Sequence, residues 1–171
     1  MVSLSPDERR ARARRIRLVV TDCDGVLTDA GVYYSDRGEE LKRFSIRDGM
    51  GVARLRQAGV ETAIITGERS GSVVRRGEKL GLRHVLLGVT DKLAELAGLG
   101  YELAELAYIG DDVNDLAAIE AVGAVGLTGA PADAVPQVAG AVHHLCRLPG
   151  GHGAFREFAE WILDARDKEG S

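Results

Sequence analysis

Short apolar runs recur along the chain and alternate with segments of helical periodicity. Residues 16–21, 60–65 and 106–109 are rich in branched apolar side chains without polar alternation, which predicts strands buried on both faces. Further strands are predicted at 85–87, 122–125 and 141–142, and helices at 48–58, 69–80, 91–97 and from after 112 to about 121. This alternation predicts an α/β fold, a doubly wound parallel sheet with helices on both sides.

A β-hairpin is predicted between the first two of these strands. Residues 32–34 and 39–44 flank the turn sequence Ser-Asp-Arg-Gly at 35–38, a pattern typical of hairpins. The helix that follows is expected to begin with Asp48 as its N-cap. The hairpin is therefore an insertion that protrudes from the sheet.

The two ends of the chain are predicted to be helical parts of one domain spanning 1–171. Residues 1–15 contain Ser5 and Pro6 followed by acidic residues, a typical helix start, so the arginines after them lie on a solvated helix. Residues 150–171 form a tail and a closing helix at 155–166, whose aromatic residues recur at helical spacing and are expected in the core.

The composition is that of a globular protein, with 45% hydrophobic and 28% charged residues. A formal net charge of -4 gives no global attraction for nucleic acid or an anionic membrane. Two cysteines are too few for a disulfide framework, and no apolar segment suits a membrane span or a signal peptide. We expect a cytoplasmic protein, in which an anionic substrate would need a local cluster of positive groups.

Four carboxylates follow two of the predicted strands. Asp22 and Asp24 come after the first strand, and Asp111 and Asp112 come after a later one. Ligands of such sheets bind beyond the carboxyl ends of the strands, so these side chains should converge. Like charges this close require compensation. A magnesium ion suits an all-oxygen site of this kind.

Two other polar residues belong to the same edge of the predicted sheet. Thr66 ends the second buried strand, and Lys92 begins a helix. A cation at a helix start gains nothing from the helix dipole. The position of Lys92 therefore suggests an anion that it neutralises.

In this order, the motifs resemble the haloacid dehalogenase superfamily of phosphotransferases. The matching segments are Asp-x-Asp-Gly-Val-Leu-Thr at 22–28, Ile-Ile-Thr-Gly at 64–67, Lys92 and Gly-Asp-Asp-x-x-Asp at 110–115. The resemblance covers nearly the whole chain after Arg15. A flavodoxin-like binding domain is the structural alternative.

The resemblance implies roles for these residues. Asp22 looks like the nucleophile that forms an aspartyl-phosphate, and Asp24 like the general acid and base. Asp22, Asp111 and the backbone carbonyl of Asp24 would hold the magnesium ion. The groups that would bind the phosphoryl oxygens are Gly25, Thr66, Gly67 and Lys92. Asp112 and Asp115 look like outer partners of the metal waters or of Lys92.

The spacing leaves no room for the cap domain found in most of the superfamily. The interval 22–66 holds the hairpin and one helix, and 66–92 holds one helix and one strand. Segments 24–29, 44–51 and 150–157 are similar to the capless phosphatases of sugar-acid biosynthesis, which include 3-deoxy-octulosonate 8-phosphate phosphatases and sialic-acid-type relatives. Those relatives are tetramers. A departure is Ala30, where that group usually has Gly.

The hairpin favours a homotetramer. Two strands alone are marginal in water, and Val32, Tyr33 and Tyr34 would be exposed unless hairpins of several subunits join. The alternative is a hairpin folded back on its own domain.

Four residues are candidates for substrate recognition. Glu68 follows Thr-Gly where the octulosonate enzymes typically have Arg, and with Lys79 it resembles the phosphatases of nine-carbon acids. His152 and Arg156 follow a flexible Gly-Gly pair and would reach a neighbouring subunit's site. In the alternative interpretation, Glu68 is only a first-turn acid, Lys79 is solvated and the tail is a loop.

Three other functions compete. A phosphoacceptor signalling domain shares many of these residue types, but its acidic pair precedes the phosphoacceptor strand, and Asp24 would be surplus. A regulatory domain without activity is disfavoured because no catalytic residue is missing. Within the enzymes, the alternative is a phosphatase of another sugar phosphate or of a secondary-metabolite intermediate. His143 and His144 are interpreted as strand-edge residues without a metal.

Overall fold

The computed structural model describes residues 2–167 and contains a six-stranded parallel sheet in the order β5-β4-β1-β6-β7-β8. A separate antiparallel hairpin is made of β2 and β3. The strands are β1 (Leu18–Thr21), β2 (Val32–Ser35), β3 (Gly38–Lys42), β4 (Glu61–Thr66), β5 (His84–Leu87), β6 (Leu106–Ile109), β7 (Leu127–Ala130) and β8 (His144–Leu145).

Helices cover both faces of the sheet. They are α1 (Pro6–Arg15), α2 (Ile46–Gln57), α3 (Gly71–Leu80), α4 (Lys92–Ala97), α5 (Leu116–Val125), α6 (Pro136–Ala141) and α7 (Ala154–Asp167). One apolar cluster contains buried side chains of α1, α2, α3 and α7, and the other contains those of α4, α5 and α6. Every residue of β1, β6 and β7 is buried. The predicted doubly wound α/β fold is therefore confirmed.

Two predicted strands are wrong. Residues 122–125 belong to α5, and the strand is β7, which starts at Leu127. Ala118, Ile119 and Val122 recur at helical spacing and are buried in one cluster, so this short apolar run continues a helix. Similarly, α6 extends to Ala141, and the last strand is β8.

Asp48 is not the cap of α2, as the sequence suggested. Ser45 is the N-cap, and its side chain accepts a hydrogen bond from Arg47 N. Asp48 is buried and accepts a bond from Arg156 N at 3.0 Å, in the first turn of α7. Burial raises its pKa. Its function in the fold is thus to join α2 to the start of α7 by satisfying a free N–H of that helix.

Strand β2 of the hairpin is exposed along its length, whereas β3 is partly buried. Val32 pairs with Lys42 at its base, and the register shifts between Tyr33 and Tyr34. Both tyrosines are 68% exposed, and Leu41 is 64% exposed. The hairpin therefore presents an apolar surface to solvent in the single chain.

Within residues 2–167, no helix combines the length and the apolar character that crossing a membrane requires.

Candidate active site

The strand order reverses at β1, because β4 and β5 are added on one side of it and β6, β7 and β8 on the other. Thr21 pairs with Ile64 of β4 and with Ile109 of β6. The residues that follow these three strands therefore meet at one edge, the usual ligand position in doubly wound sheets.

The loop after β1 is a tight turn held by its own backbone. Cys23 O accepts hydrogen bonds from the N–H groups of Val26, Leu27 and Thr28 at 2.9–3.4 Å. Asp22 Oδ1 accepts a hydrogen bond from Cys23 N at 2.7 Å. Thr28 Oγ1 donates to Asp24 Oδ1 at 3.1 Å. The sequence of this loop thus fixes the positions of both motif aspartates.

Gly25 is required for the close approach of Asp111 to this loop. Its φ is +86°, a conformation that favours glycine, and a Cβ placed there would lie 2.0 Å from Asp111 Oδ2. Any side chain at position 25 would push the Asp111 carboxylate away.

Ala30 has a φ of +59°, the only positive value at a non-glycine residue among those described. Glycine adopts this conformation without strain, whereas for alanine it costs on the order of 1 kcal/mol. This explains why Gly would suit the position at which the sequence departs from the resembling family.

Lys92 is buried and joins two carboxylates. Its Nζ lies 3.0 Å from Asp22 Oδ1 and donates to Asp115 Oδ1 at 2.7 Å. Tyr108 OH also donates to Asp115 Oδ1, at 2.6 Å. Burial lowers the pKa of Lys92, but Asp22 and Asp115 raise it above its ordinary value. The lysine is therefore charged and is held by Asp115 beside Asp22.

Asp22, Asp111 and Asp115 bring carboxylate oxygens within 4.8 Å of one another. Burial first, then Asp115, raises the pKa of Asp22 to about 6, although Lys92 opposes the shift. Burial first, then Asp22, raises the pKa of Asp111 to about 8. Two carboxylates this close share protons unless a cation neutralises them.

This cluster fits a magnesium ion. Asp111 Oδ1 is buried and has no hydrogen-bond partner within residues 2–167, whereas the oxygens of Asp115 are engaged by Lys92, Tyr108 and the backbone. Asp22 and Asp111 are thus the side chains available as hard oxygen ligands, and Asp115 is an outer partner.

A cavity of about 310 Å³ opens at this cluster. Its polar lining includes Asp22, Asp24, Thr66, Gly67, Glu68, Asp111, Asp112 and Asn114. Thr66 is buried, and its hydroxyl oxygen accepts a hydrogen bond from Glu68 N at 3.2 Å. Asp112 is exposed and caps the 3₁₀ turn Val113–Asp115. The cavity has the size and polarity for a phosphate ester.

Comparison with known proteins decides the family. The 3-deoxy-D-manno-octulosonate 8-phosphate phosphatase KdsC of Yersinia pestis is 41% identical over 166 residues, which are 95% of this chain and 87% of the relative. The chain belongs to the KdsC phosphatase family. No family model matches the sequence.

Solved structures agree with this assignment. A 3-deoxy-D-manno-octulosonate 8-phosphate phosphatase from Moraxella catarrhalis, in complex with magnesium, phosphate and KDO, has a TM-score of 0.87 and 38% identity, covering 94% of this chain and 93% of that one. A Legionella pneumophila protein named as a putative HAD superfamily hydrolase has a TM-score of 0.86 and 39% identity, covering 95% and 90%. The expected capless group within the haloacid dehalogenase superfamily is therefore confirmed.

Glu68 lies at the cavity. It is one of the four substrate residues predicted by resemblance to the KdsC family and its nine-carbon relatives. It is exposed and lines the wall beside Thr66. Lys79 is exposed in the last turn of α3. The ten residues of this helix span about 15 Å, so Lys79 lies at the end remote from the cavity of its own chain.

The tail is a fixed turn, and the predicted flexibility at Gly150 and Gly151 is wrong. Gly151 N donates to Val26 O at 2.9 Å. A Cβ on Gly150 would lie 1.9 Å from Gly25 O. Both glycines are buried. They are needed because the tail packs directly on the backbone of the loop that carries Asp22 and its neighbours.

His152 and Arg156 lie outside the cavity of their own chain. Arg43 contacts His152 Nε2 at 2.6 Å and Asp29 Oδ2 at 3.1 Å. Arg156 pairs with Glu160 at 2.7 Å. Both predicted substrate residues therefore make side-chain contacts within their own chain, His152 with Arg43 and Arg156 within α7.

Sequence reasoning missed Lys42, Tyr108 and Asn114. Tyr108 belongs to β6, and in the sequence it is only one position of an apolar run. Asn114 follows the acidic pair and lines the cavity. Lys42 reaches Asp24 from the hairpin, at 2.5 Å. No spacing rule predicts that contact, because it depends on how the hairpin folds back.

His144 lies near Cys146 and Glu157, a group with the residue types of a metal site, although the sequence suggested no partner for it. Glu157 already accepts the backbone N–H groups of Arg147 and Leu148, and Cys146 Sγ contacts Ala154 O. His144 stacks on Trp161 with ring centroids 4.8 Å apart. These contacts give the group a structural explanation.

Proposed function

We propose that the chain is a magnesium-dependent phosphomonoester hydrolase that acts through an aspartyl-phosphate on a 2-keto-3-deoxy sugar acid phosphate. The observation that carries the proposal is the pairing of buried Asp22 with Lys92 beside Asp111, at a cavity that Asp24 also lines. Membership of a phosphatase family supports the same reaction.

Asp22 attacks phosphorus, and the bond from phosphorus to the sugar oxygen breaks as Asp24 donates a proton to that oxygen. Asp24 then takes a proton from water, whose oxygen displaces Asp22 and releases phosphate. A magnesium ion held by Asp22, Asp111 and the backbone carbonyl of Asp24 would neutralise charge on the phosphoryl oxygens. Lys92, Thr66 and the backbone at Gly25 and Gly67 would bind and orient that group.

For the substrate, we favour a nine-carbon acid over an eight-carbon one. The relatives are named for the eight-carbon 3-deoxy-D-manno-octulosonate 8-phosphate, and the Moraxella catarrhalis structure contains KDO. In this chain, Glu68 lies on the cavity wall. A carboxylate there repels a substrate carboxylate and accepts bonds from hydroxyl or ammonium groups, whereas Arg would do the reverse. Lys79 would contribute only through a second copy of the chain.

We expect Glu68→Arg to shift the specificity toward the eight-carbon acid by roughly ten- to a hundredfold, since a hydrogen bond to a charged group contributes ~1.5–3 kcal/mol. The measurement is kcat/KM for both sugar acid phosphates, in the wild type and the variant. Glu78→Arg is a matched control, because Glu78 is exposed on α3 and pairs only with Arg75 in the described structure.

A wild type that prefers the eight-carbon acid, or a ratio that Glu68→Arg leaves unchanged, would reduce Glu68 to a residue at the start of a helix. The substrate assignment would then return to the eight-carbon acid of the relatives or to another sugar phosphate.

We further propose a homotetramer held by the hairpins. The exposed Tyr33, Tyr34 and Leu41 form the apolar surface for it. Sedimentation at micromolar concentration should give a tetramer, and Tyr33→Lys combined with Leu41→Lys should dissociate it. A wild-type monomer would contradict the proposal. For His152 and Arg156 to bind substrate in such an assembly, they would have to reach the cavity of another subunit. In their own chain, these side chains already contact Arg43 and Glu160.

The remaining sequence-based expectations stay predictions. They are a single phosphatase domain over 1–171, a cytoplasmic location and no nucleic acid or membrane partner. The alternative of a non-catalytic phosphoacceptor or regulatory domain gains no support from the relatives, which are named as phosphatases.

A further inference from the structure

The base of the hairpin reaches into the catalytic loop. Lys42, the last residue of β3, places its Nζ 2.5 Å from Asp24 Oδ2 and 3.6 Å from Glu39 Oε2. Its side chain is 3% exposed although the hairpin as a whole is open to solvent. A lysine this enclosed requires acceptors, and Asp24 is the nearer of the two.

Both oxygens of the Asp24 carboxylate are held. Thr28 Oγ1 donates to Oδ1 at 3.1 Å, and Lys42 bonds Oδ2. An ammonium group has only donors, so it disfavours a proton on Oδ2. The proton that Asp24 exchanges is therefore directed to Oδ1. The Thr28 hydroxyl already accepts the backbone N–H groups of Gly25 and Ala30, so it remains a donor to another lone pair of Oδ1.

Glu39 extends this contact to the other side of the cavity. Its Oε1 accepts a hydrogen bond from the hydroxyl of Ser70, which is the N-cap of α3. A second cavity of about 200 Å³ lies between these elements, and Asp24, Glu39, Lys42 and Glu68 line it. Asp24 and Glu68 line the first cavity as well. The hairpin thus connects the loop after β1 with the start of α3.

Each of the two motif aspartates, Asp22 and Asp24, forms an ion pair with a lysine. Lys92 lies beside Asp22 and is positioned by Asp115, and Lys42 lies beside Asp24 and approaches Glu39. Lys42 is consequently a fixed cation next to Asp24.

We propose that Lys42 is a positioning residue for Asp24 and that, through Glu39 and Ser70, the hairpin is part of the catalytic apparatus of its own chain. The inference rests on the proposed function, in which Asp24 protonates the leaving oxygen. Lys42 holds the carboxylate in the direction in which it transfers that proton, and a small displacement of such a group greatly reduces the rate.

The test compares two leaving groups with magnesium, using single-turnover experiments for the rate of release and steady-state kinetics for kcat and KM. The sugar alkoxide of 3-deoxy-D-manno-octulosonate 8-phosphate needs a proton to leave, whereas p-nitrophenolate does not. We expect Lys42→Met to slow release of the alkoxide by about 10²-fold, at the lower end of the contribution of a general acid. Release of p-nitrophenol should slow by less than about fivefold, and KM should stay within about threefold for both.

Three further variants make the result specific. Lys42→Arg keeps the charge, so it should release the alkoxide at least about tenfold faster than Lys42→Met does. Lys42→Gln keeps an N–H donor without the charge. It should also slow alkoxide release more than p-nitrophenol release, but by a smaller factor than Lys42→Met. Arg37→Met is the matched control, since Arg37 is on the same hairpin and its side chain, 80% exposed, pairs with Glu40. Circular dichroism checks that each variant is folded.

Equal losses on both substrates, a raised KM with unchanged kcat, or full activity in folded Lys42→Met or Lys42→Gln would each overturn the proposal. The proposed function has its own test, because it requires Asp22→Asn to be inactive with both substrates. An inactive Asp22→Asn together with unaffected Lys42 variants would refute only the role of Lys42.

Discussion

We expect the replacement of Asp22 by Asn to lower kcat by about 10⁴- to 10⁶-fold, the size of effect that removing a catalytic residue has in other enzymes. An amide oxygen cannot form the aspartyl-phosphate, and the remaining groups can only bind and orient the ester. Phosphate release from a sugar acid phosphate, followed over long incubation with magnesium, measures the effect.

The fold should survive this substitution. Asp22 is 5% exposed, and burial together with Asp115 already disfavours its charge. A neutral side chain of the same shape relieves that repulsion, while Lys92 keeps its bond to Asp115. The free energy of unfolding, from urea titration without magnesium, should therefore be equal or higher. Asp7→Asn, at a side chain that is 94% exposed, is the matched control. Substantial turnover by folded Asp22→Asn would contradict covalent catalysis.

Chelation of divalent cations is expected to abolish activity, and added magnesium to restore it. Without a cation, Asp22 and Asp111 repel each other and share protons, and the buried Asp111 Oδ1 lacks a partner in the described structure. The phosphoryl group would meet uncompensated negative charge. Full activity in excess chelator would refute magnesium dependence.

The pH dependence of magnesium binding provides a sharper version of the same test. The pKa of Asp22 is raised to about 6 and that of Asp111 to about 8 in the absence of a cation. Between these values the pair holds about one proton, which magnesium must displace. The apparent affinity should therefore tighten about tenfold per pH unit from about pH 6 to 8, with proton release on binding. Titrations at three pH values measure it, and an affinity independent of pH would contradict a site built on these two carboxylates.

The sequence predicts the centre of this site because each motif follows a strand. In a parallel sheet, the carboxyl ends of neighbouring strands lie at one edge. Asp22, Thr66 and Asp111 are therefore brought together once their strands are recognised as buried. Lys92 is included for a different reason, its unfavourable position at a helix start.

The sequence does not predict contacts that depend on how separate segments return to each other. Asp48 has the pattern of a helix cap, but tertiary packing uses it for the start of α7. Gly150 has the pattern of a flexible joint, but it packs on the backbone at Gly25. Lys42 is one of many charged residues on a hairpin until the fold places it on Asp24.

Short apolar runs are ambiguous for another reason. Residues 122–125 are as compatible with a helix end as with a strand. The decision comes from neighbouring positions, because Ala118 and Val122 are buried one helical turn apart against the same cluster. Tertiary burial thus determines the secondary structure of this segment.

Phosphate release by the wild-type protein, with magnesium, across a panel of sugar phosphates is the most direct test of the proposed function. The panel contains eight- and nine-carbon 2-keto-3-deoxy acid phosphates and neutral sugar phosphates of similar length. We predict the highest kcat/KM for the nine-carbon acid, a lower value for the eight-carbon acid and the lowest for the neutral sugars. A neutral sugar phosphate hydrolysed more efficiently than both acids would contradict the proposed function.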